Sequence, residues 1–252
     1  MNLVLLDTVD STNAFLLRKN EAERVGMVAF AREQTAGKGM GSNSWESQPG
    51  RNLTFSMGVD MSFLQAADQF LLSQAVPLGL LDVLDPLLES SGVSSVDALS
   101  VKWPNDLLYN GQKLGGILIN STIHGMDMGV SVIGIGLNVN QMQFKDWPTR
   151  PVSLRMLLGK VIPLEPLLKQ CVASVNQRIR LLCSPEGIEK TKMDYYRRLY
   201  LYHQWGDFET REGHAKLFVE GIDNFGRLIT TDETGSTRIY DLKELHLSNA
   251  QL

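Results

Sequence analysis

Residues 101 to 120, VKWPNDLLYNGQKLGGILIN, restrict the fold of this chain more than any other stretch. Pro104 biases Trp103 toward extended backbone and breaks any helix there, so the segment reads as strand, turn, strand. The turn falls at Asn110-Gly111, because both residues tolerate the positive φ that a two-residue hairpin turn requires. Lys113 follows the turn, then Gly115 and Gly116, then the apolar run Ile117, Leu118, Ile119. A lysine at the mouth of a buried strand, beside two glycines that let a ligand approach the backbone, suits an anionic substrate. A plain hairpin with an exposed turn lysine satisfies the same residues, so this segment by itself leaves both readings open.

The 252 residues can bury a large core, as one domain or as one domain with a small appendage. Hydrophobic residues at 43% and charged residues at 21% are ordinary globular composition and exclude a disordered chain. A net charge of -4 argues against a DNA-binding role, since phosphate neutralisation needs a concentrated excess of Lys and Arg. The N-terminus lacks a basic region before its apolar residues, and no run reaches the roughly 20 uninterrupted apolar residues of a membrane span. The expectation is a cytoplasmic protein with no DNA and no membrane partner. Cys171 and Cys183 sit in helix-like surroundings and read as plain thiols without chemistry.

Along the chain, Leu3 to Leu6 form a short buried strand, and the turn after it carries Ser11, Thr12 and Asn13, all good helix N-caps. Three in succession also make a compact set of donors and acceptors for a small polar ligand head. Met27 to Glu33 is apolar enough for a central strand. It runs into a loop with Gly37, Gly39 and Gly41 around Lys38, whose backbone N–H groups could line up on a phosphate. This is not a P-loop, because no Gly-Lys-Ser/Thr opens a helix; a mobile surface loop is the plainer reading. Asn52 to Val59 is a strand. Ser62 to Ser91 has helical apolar spacing, with Pro77 expected to kink or split it. Met128 to Asn140 is a second apolar strand whose GIG glycines, at 134 and 136, let another backbone or a flat ligand approach closely, with Asn138 and Asn140 just past its apolar centre. Ser153 caps a short helix, and residues 163–182 and 186–202 are amphipathic helices, the last entered through Ser184-Pro185. The strands at 27–33 and 128–139 need cover on both faces, consistent with about five helices. After Trp205 the pattern alternates in β fashion, so residues 206 to about 249 read as a small all-β barrel.

Four islands carry a resemblance: DSTN at 10–13; EQTAGKG at 33–39, followed by Trp45 and PGRNLTFS; KWPND at 102–106, followed by KLGGIL; and GIGLNVN at 134–140. In this order and at about this spacing they resemble the biotin protein ligase family over most of residues 7 to 140. The closing VEGIDNFGRLITTD with the later DLKEL is similar to that family's C-terminal module. The resemblance implies an α+β fold: a mixed β-sheet covered by helices, of the class II aminoacyl-tRNA synthetase/biotin ligase type, over residues 1–205. A small C-terminal SH3-like β-barrel would occupy 206–252. The implied reaction uses biotin, ATP and Mg2+, forms biotinyl-5'-AMP, and passes the acyl group to a lysine of a biotin carboxyl carrier protein.

Position by position, Lys113 aligns with the catalytic lysine that bridges the biotin carboxylate and the α-phosphate. Ser11, Thr12, Asn13 and Gln34 resemble the contacts of the biotin head, with Lys38, Gly39, Met40, Gly115 and Gly116 completing the biotin set. Gly37, Lys38, Trp45 and Asn138 resemble the adenylate contacts. Asp106 is similar to an acid that organises the metal or takes the acceptor lysine's proton. The chain also departs from the family. Lys38 is the only cation between Gly37 and Trp45, with Met40 and Asn43 where relatives often carry Arg, which leaves Arg51 as a possible substitute. Asn120 replaces the usual acid after Gly-Ile-Leu. Only ten residues precede Ser11, so the expectation is the monofunctional form without the DNA-binding domain. Two rival readings stay open: a lipoate ligase or octanoyl transferase, and a non-catalytic binding module that kept the pocket. A homodimer through an exposed sheet edge is a further family property, on an edge the sequence does not identify.

Overall fold

The computed structural model describes residues 2–41, 43–144, 150–242 and 244–247. Its first half runs β1 (Asn2–Val9), α1 (Thr12–Leu17), α2 (Glu21–Arg24), β2 (Met27–Gln34), β3 (Leu53–Asp60), α3 (Phe70–Glu89), β4 (Leu99–Lys102), β5 (Asp106–Tyr109), β6 (Gln112–His124) and β7 (Asp127–Leu137). These strands form one seven-stranded sheet in the order β1-β2-β3-β7-β6-β5-β4. β1 pairs with β2 in parallel and every other ladder is antiparallel, so the sheet is mixed, as the sequence implies.

Alternation along the strands decides which face each layer covers. In β2, Ala29 packs with Leu16 of α1 and Val132 of β7, whereas its neighbours Val28 and Phe30 join the main core with α3. Three further helices follow, α4 (Leu154–Leu158), α5 (Leu164–Leu181) and α6 (Pro185–Arg198), and α3 is sandwiched between the sheet and α5. Ser153 caps α4, and Ser184 caps α6 with Pro185 at its start, both as read from sequence.

Two local expectations are corrected. Of the two readings for Pro77, a kink or a split, the split is excluded: α3 runs unbroken from Phe70 to Glu89 with both Pro77 and Pro86 inside. Thirteen of its twenty residues are buried, and that burial outweighs the local cost of a mid-helix proline, about 3 kcal/mol. α3 is also long and apolar enough to cross a bilayer by length and composition, yet most of that window is core. The 101–120 segment, read as one hairpin, has a second turn: Trp103, Pro104 and Asn105 link β4 to β5, and Asn110-Gly111, both at positive φ, link β5 to β6.

The C-terminal part contains β8 (Trp205–Thr210), β9 (Gly213–Ile222), β10 (Leu228–Asp232), β11 (Thr237–Tyr240) and β12 (Leu245–Leu247), an antiparallel sheet in the order β11-β10-β9-β8-β12. This five-stranded antiparallel sheet is consistent with the expected SH3-like module, and among the described residues no ladder joins β11 to β12 to close it. Lys243 and residues 248–252, also assigned to the barrel, lie outside the described residues. This sheet is fastened to the preceding part of the chain by Trp103, whose buried Nε1 donates to the Gly226 carbonyl at 2.8 Å, and by the Tyr196 hydroxyl, which donates to Ile222 O at 2.9 Å.

The two thiols differ as the fold dictates. Cys171 is fully buried under α3, and desolvation pushes its thiol up to about 12, whereas Cys183 is exposed. Only thiolate reacts. Titration of the native protein with Ellman's reagent is therefore expected to consume one equivalent quickly, the second appearing only in denaturant; rapid reaction of both would contradict the packing of α5.

Candidate active site

A cavity of about 420 Å³ opens on the α1 face of the main sheet and is roofed by the C-terminal sheet. Its floor follows from strand register, because residues directly opposite in antiparallel ladders share a face. One cross-strand row reads Thr54, Gly136, Gly116, Asp106, Lys102, from β3 through β7, β6 and β5 to the outer strand β4. The adjacent row on the same face reads Ser56, Gly134, Leu118. Glycines thus occupy the middle of both rows and leave the backbone bare.

At the Ser56 end the polar groups form one network. The Thr12 backbone N–H donates to Gln34 Oε1 at 2.7 Å, and the Thr12 hydroxyl lies 3.1 Å from the same oxygen and 2.8 Å from Ser56 Oγ. Asn13 Nδ2 donates to Leu118 O at 3.3 Å. Ser11 spends its side chain on capping α1, accepting from Ala14 N, which is the ordinary role its position predicts. Ser11, Thr12, Asn13 and Ser56 are all buried, so a polar ligand head here must match their donors and acceptors or leave them unpaired.

At the other end, Lys113 Nζ lies 2.7 Å from Asp106 Oδ1. The Lys113 backbone is fixed on both sides: its N–H donates to Arg150 O, and its carbonyl accepts from Val152 N and from Asn138 Nδ2 at 3.2 Å. Asn105 fastens the preceding turn to β6, its Nδ2 donating to Ile117 O at 2.7 Å. Lys102 completes the row, and burial holds its ammonium below the ordinary lysine range; Asp106 opposes that shift and Lys113 deepens it. The charged side chains lining the cavity are Lys38, Lys102 and Lys113 against Asp106, three ammonium groups and one carboxylate. Such a surplus in a half-enclosed space binds anions.

Between the two ends lies Trp45. A Cβ built on Gly136 would fall within its indole, 2.7 Å from Cδ2, and one on Gly116 would sit 3.6 Å from Cζ3. The ring therefore lies directly on the glycine floor, where no side chain could be accommodated. Its Nε1 is buried and has no hydrogen-bond partner.

Most residues singled out from sequence converge here: Thr12, Asn13 and Gln34 at one end, Asp106 and Lys113 at the other, Gly116 and Trp45 between, with Ser11, Lys38, Gly39 and Met40 on the rim. Three do not line the cavity. Gly115 points to the other face, where a Cβ would meet Gly136 O at 2.8 Å. Gly37 is a buried loop residue whose carbonyl accepts from Trp45 N. Asn138, expected at the adenine edge, instead steadies the Lys113 carbonyl. Arg51 and Asn120 are exposed and not among the lining residues, so neither substitutes for a missing charge at the site. Sequence reasoning missed Ser56 as a floor residue; Gly134 and Gly136 it read as GIG glycines that let a backbone or a flat ligand come close, and they line the cavity. It also missed Leu245, His246 and Leu247, which the second sheet brings in. Among the described residues Asp106 is the one carboxylate at the cavity, where it is already paired, and no group of three metal-ligating side chains exists, so the donor set does not fit a metal held by the chain.

A mixed sheet with a hydrogen-bonding slot, a bare glycine floor and a surplus of ammonium groups defines the class of enzyme that activates an organic acid against a nucleotide phosphate. The chain belongs to the Biotin/lipoate A/B protein ligase family, whose profile matches residues 5–138. It is 31% identical over 248 residues to the Bifunctional ligase/repressor BirA of Bacillus spizizenii, covering 95% of this chain and 72% of that protein. It is 28% identical over 238 residues to the Biotin--[acetyl-CoA-carboxylase] ligase of Paracoccus denitrificans, covering 92% and 95%. The fold matches that of the biotin protein ligase from Aquifex aeolicus in complex with biotin and ATP, with a TM-score of 0.78 at 22% identity over 98% of this chain and 99% of the other.

Proposed function

We propose that this chain is an ATP-dependent biotin protein ligase, which forms biotinyl-5'-AMP and transfers biotin to a specific lysine of a biotin carboxyl carrier protein. The observation that carries this reading is one cavity with a buried Thr12–Gln34–Ser56 network at one end and the Lys113–Asp106 pair at the other, separated by bare glycines. A neutral, hydrogen-bonding ring followed by an acid fits that polarity.

In the first step the biotin carboxylate and the α-phosphate, both anions, must meet. Lys113 neutralises them as they approach, and its doubly anchored backbone means the charge is in place beforehand. A carboxylate oxygen attacks the phosphorus, and the bond to pyrophosphate breaks with its electron pair leaving on that group. In the second step the carrier's amine attacks the acyl carbon and AMP departs. Asp106 accepts the proton, directly or through Lys113, since the two already share a contact at 2.7 Å. The Trp45 ring, lying on the glycine floor with its N–H unspent, offers the adenylate an aromatic face and a donor, and the loop holding Lys38, Gly39 and Met40 keeps water from the mixed anhydride. Magnesium belongs to the nucleotide in this scheme, bound by phosphate oxygens and not by a protein cage.

Cytoplasmic location and homodimerisation are parts of the same proposal. For a dimer, β1 is the free edge of the main sheet, with Leu5 exposed, whereas β4 is flanked by Leu199.

The test is transfer of labelled biotin to a carboxyl carrier domain in the presence of ATP and Mg2+, with unlabelled biotin or lipoate as competitor. The expected result is transfer that biotin suppresses and lipoate does not. Preferential suppression by lipoate would assign the chain to the lipoate branch of the family, and absence of pyrophosphate release would leave a binding module.

A further inference from the structure

Lys102 is the charged group in the cavity that the reaction described above does not use. It ends β4 and lies directly across from Asp106, which lies directly across from Gly116, so all three share the floor row. Asp106 gives its Oδ1 to Lys113 at 2.7 Å, and among the described residues Lys102 has no hydrogen bond or ion pair of its own. A partly desolvated ammonium whose nearest carboxylate, Asp106, is in contact with another lysine is costly: burial disfavours its charge more than Asp106 supports it. A site that keeps such a group is built for an anion that arrives.

The order of the row says which anion. Gly136, Gly116, Asp106 and Lys102 lie on successive strands, so Lys102 stands about 14 Å from Gly136 by strand spacing, at the end away from Thr12 and Ser56. With the acid's head at the Ser56 end and the reacting phosphorus at Lys113, the part of ATP that reaches beyond the pair is the part that leaves. We propose that Lys102 binds the β- and γ-phosphates and stabilises the departing pyrophosphate, as a catalytic residue of adenylate formation that has no task in transfer. This rests on the ligase reading.

The two half-reactions separate the idea from a structural role. In Lys102→Gln, biotin-dependent exchange of pyrophosphate into ATP is expected to fall by about a hundredfold, the loss typical of one removed transition-state contact, while transfer from supplied biotinyl-5'-AMP stays within about threefold of the unmodified enzyme. Lys102→Arg, which keeps the charge, is expected to hold exchange within about tenfold. Equal losses in both half-reactions, unchanged exchange in the Gln variant, or an Arg variant as impaired as the Gln variant would each overturn the proposal. If the unmodified enzyme itself shows no biotin-dependent exchange, the ligase reading fails and this inference with it. If it exchanges normally and Lys102→Gln does too, only the role of Lys102 is lost.

Discussion

Lys113→Gln is expected to lower biotin-dependent pyrophosphate exchange by about three orders of magnitude, with little change in melting temperature. The chemistry asks one side chain to offset the repulsion of two anions, and Lys113 is the ammonium whose backbone is held by Arg150 O, Val152 N and Asn138 Nδ2. Its removal does a second kind of damage. Asp106, now 2.7 Å from an ammonium, would be left as an unpaired carboxylate facing the incoming anions. At an effective dielectric of about 20, two unit charges 4 Å apart repel by about 4 kcal/mol, so the orphaned acid is itself inhibitory. The double variant Lys113→Gln/Asp106→Asn is therefore expected to exchange about tenfold faster than Lys113→Gln, even though it lacks both groups. Single-turnover formation of the adenylate measures both effects. Near-normal exchange in Lys113→Gln, or a double variant slower than the single one, would contradict this electrostatic role. Folding should tolerate the change, because the Lys113 side chain is 30% exposed and a partly exposed pair contributes little to stability.

Gly134→Val is expected to weaken biotin binding by about a hundredfold or more while the protein still folds, at a stability cost of about 1–3 kcal/mol for displacing Asn13. A Cβ at this position would lie 2.9 Å from Asn13 Nδ2 and 3.4 Å from Ser56 Oγ, in the slot between the groups that would read the ligand head. Two further methyl carbons would fill it. The strand itself does not need glycine: Gly134 pairs regularly with Ser56 and Leu118, in extended backbone that valine prefers. Calorimetric titration with biotin, paired with a thermal melt, separates the two consequences. Retained biotin affinity would mean that the head binds elsewhere, and unfolding would mean that the glycine is there for packing.

These two residues show what the sequence made legible. Lys113 was readable because a turn signal, a lysine and two glycines stand within a few residues, and Thr12 and Asn13 because polar groups cluster after the first strand, whereas Gln34 came only through the family resemblance. The cap at Ser153 and the proline start of α6 were readable for the same reason: each depends on neighbours in the chain. What was not legible depends on register. Ser56 faces Gly134, and Gly136 faces Gly116, only because β3, β7 and β6 pair at one offset, and no local pattern encodes that offset. The same cause moved Gly115 off the site and put Gly116 on it, since adjacent residues of a strand point to opposite faces. Pro77 misled because helix propensity is local, whereas α3 is held by burial against β-strands and α5 far along the chain. The entry of Leu245, His246 and Leu247 into the cavity likewise depends on how the second sheet docks, which Trp103 sets by its bond to Gly226.

The central claim is that one cavity holds both reactants, the acid's head by Thr12 and the reacting phosphate by Lys113. A crystal structure of the protein with biotinyl-5'-AMP tests it most directly. The account predicts the ureido ring within hydrogen-bond distance of Thr12, Gln34 or Ser56, the acyl phosphate beside Lys113 Nζ, and the adenine near Trp45. A ligand bound outside this cavity, or one running in the opposite sense with its adenine in the Thr12–Ser56 slot, would contradict it.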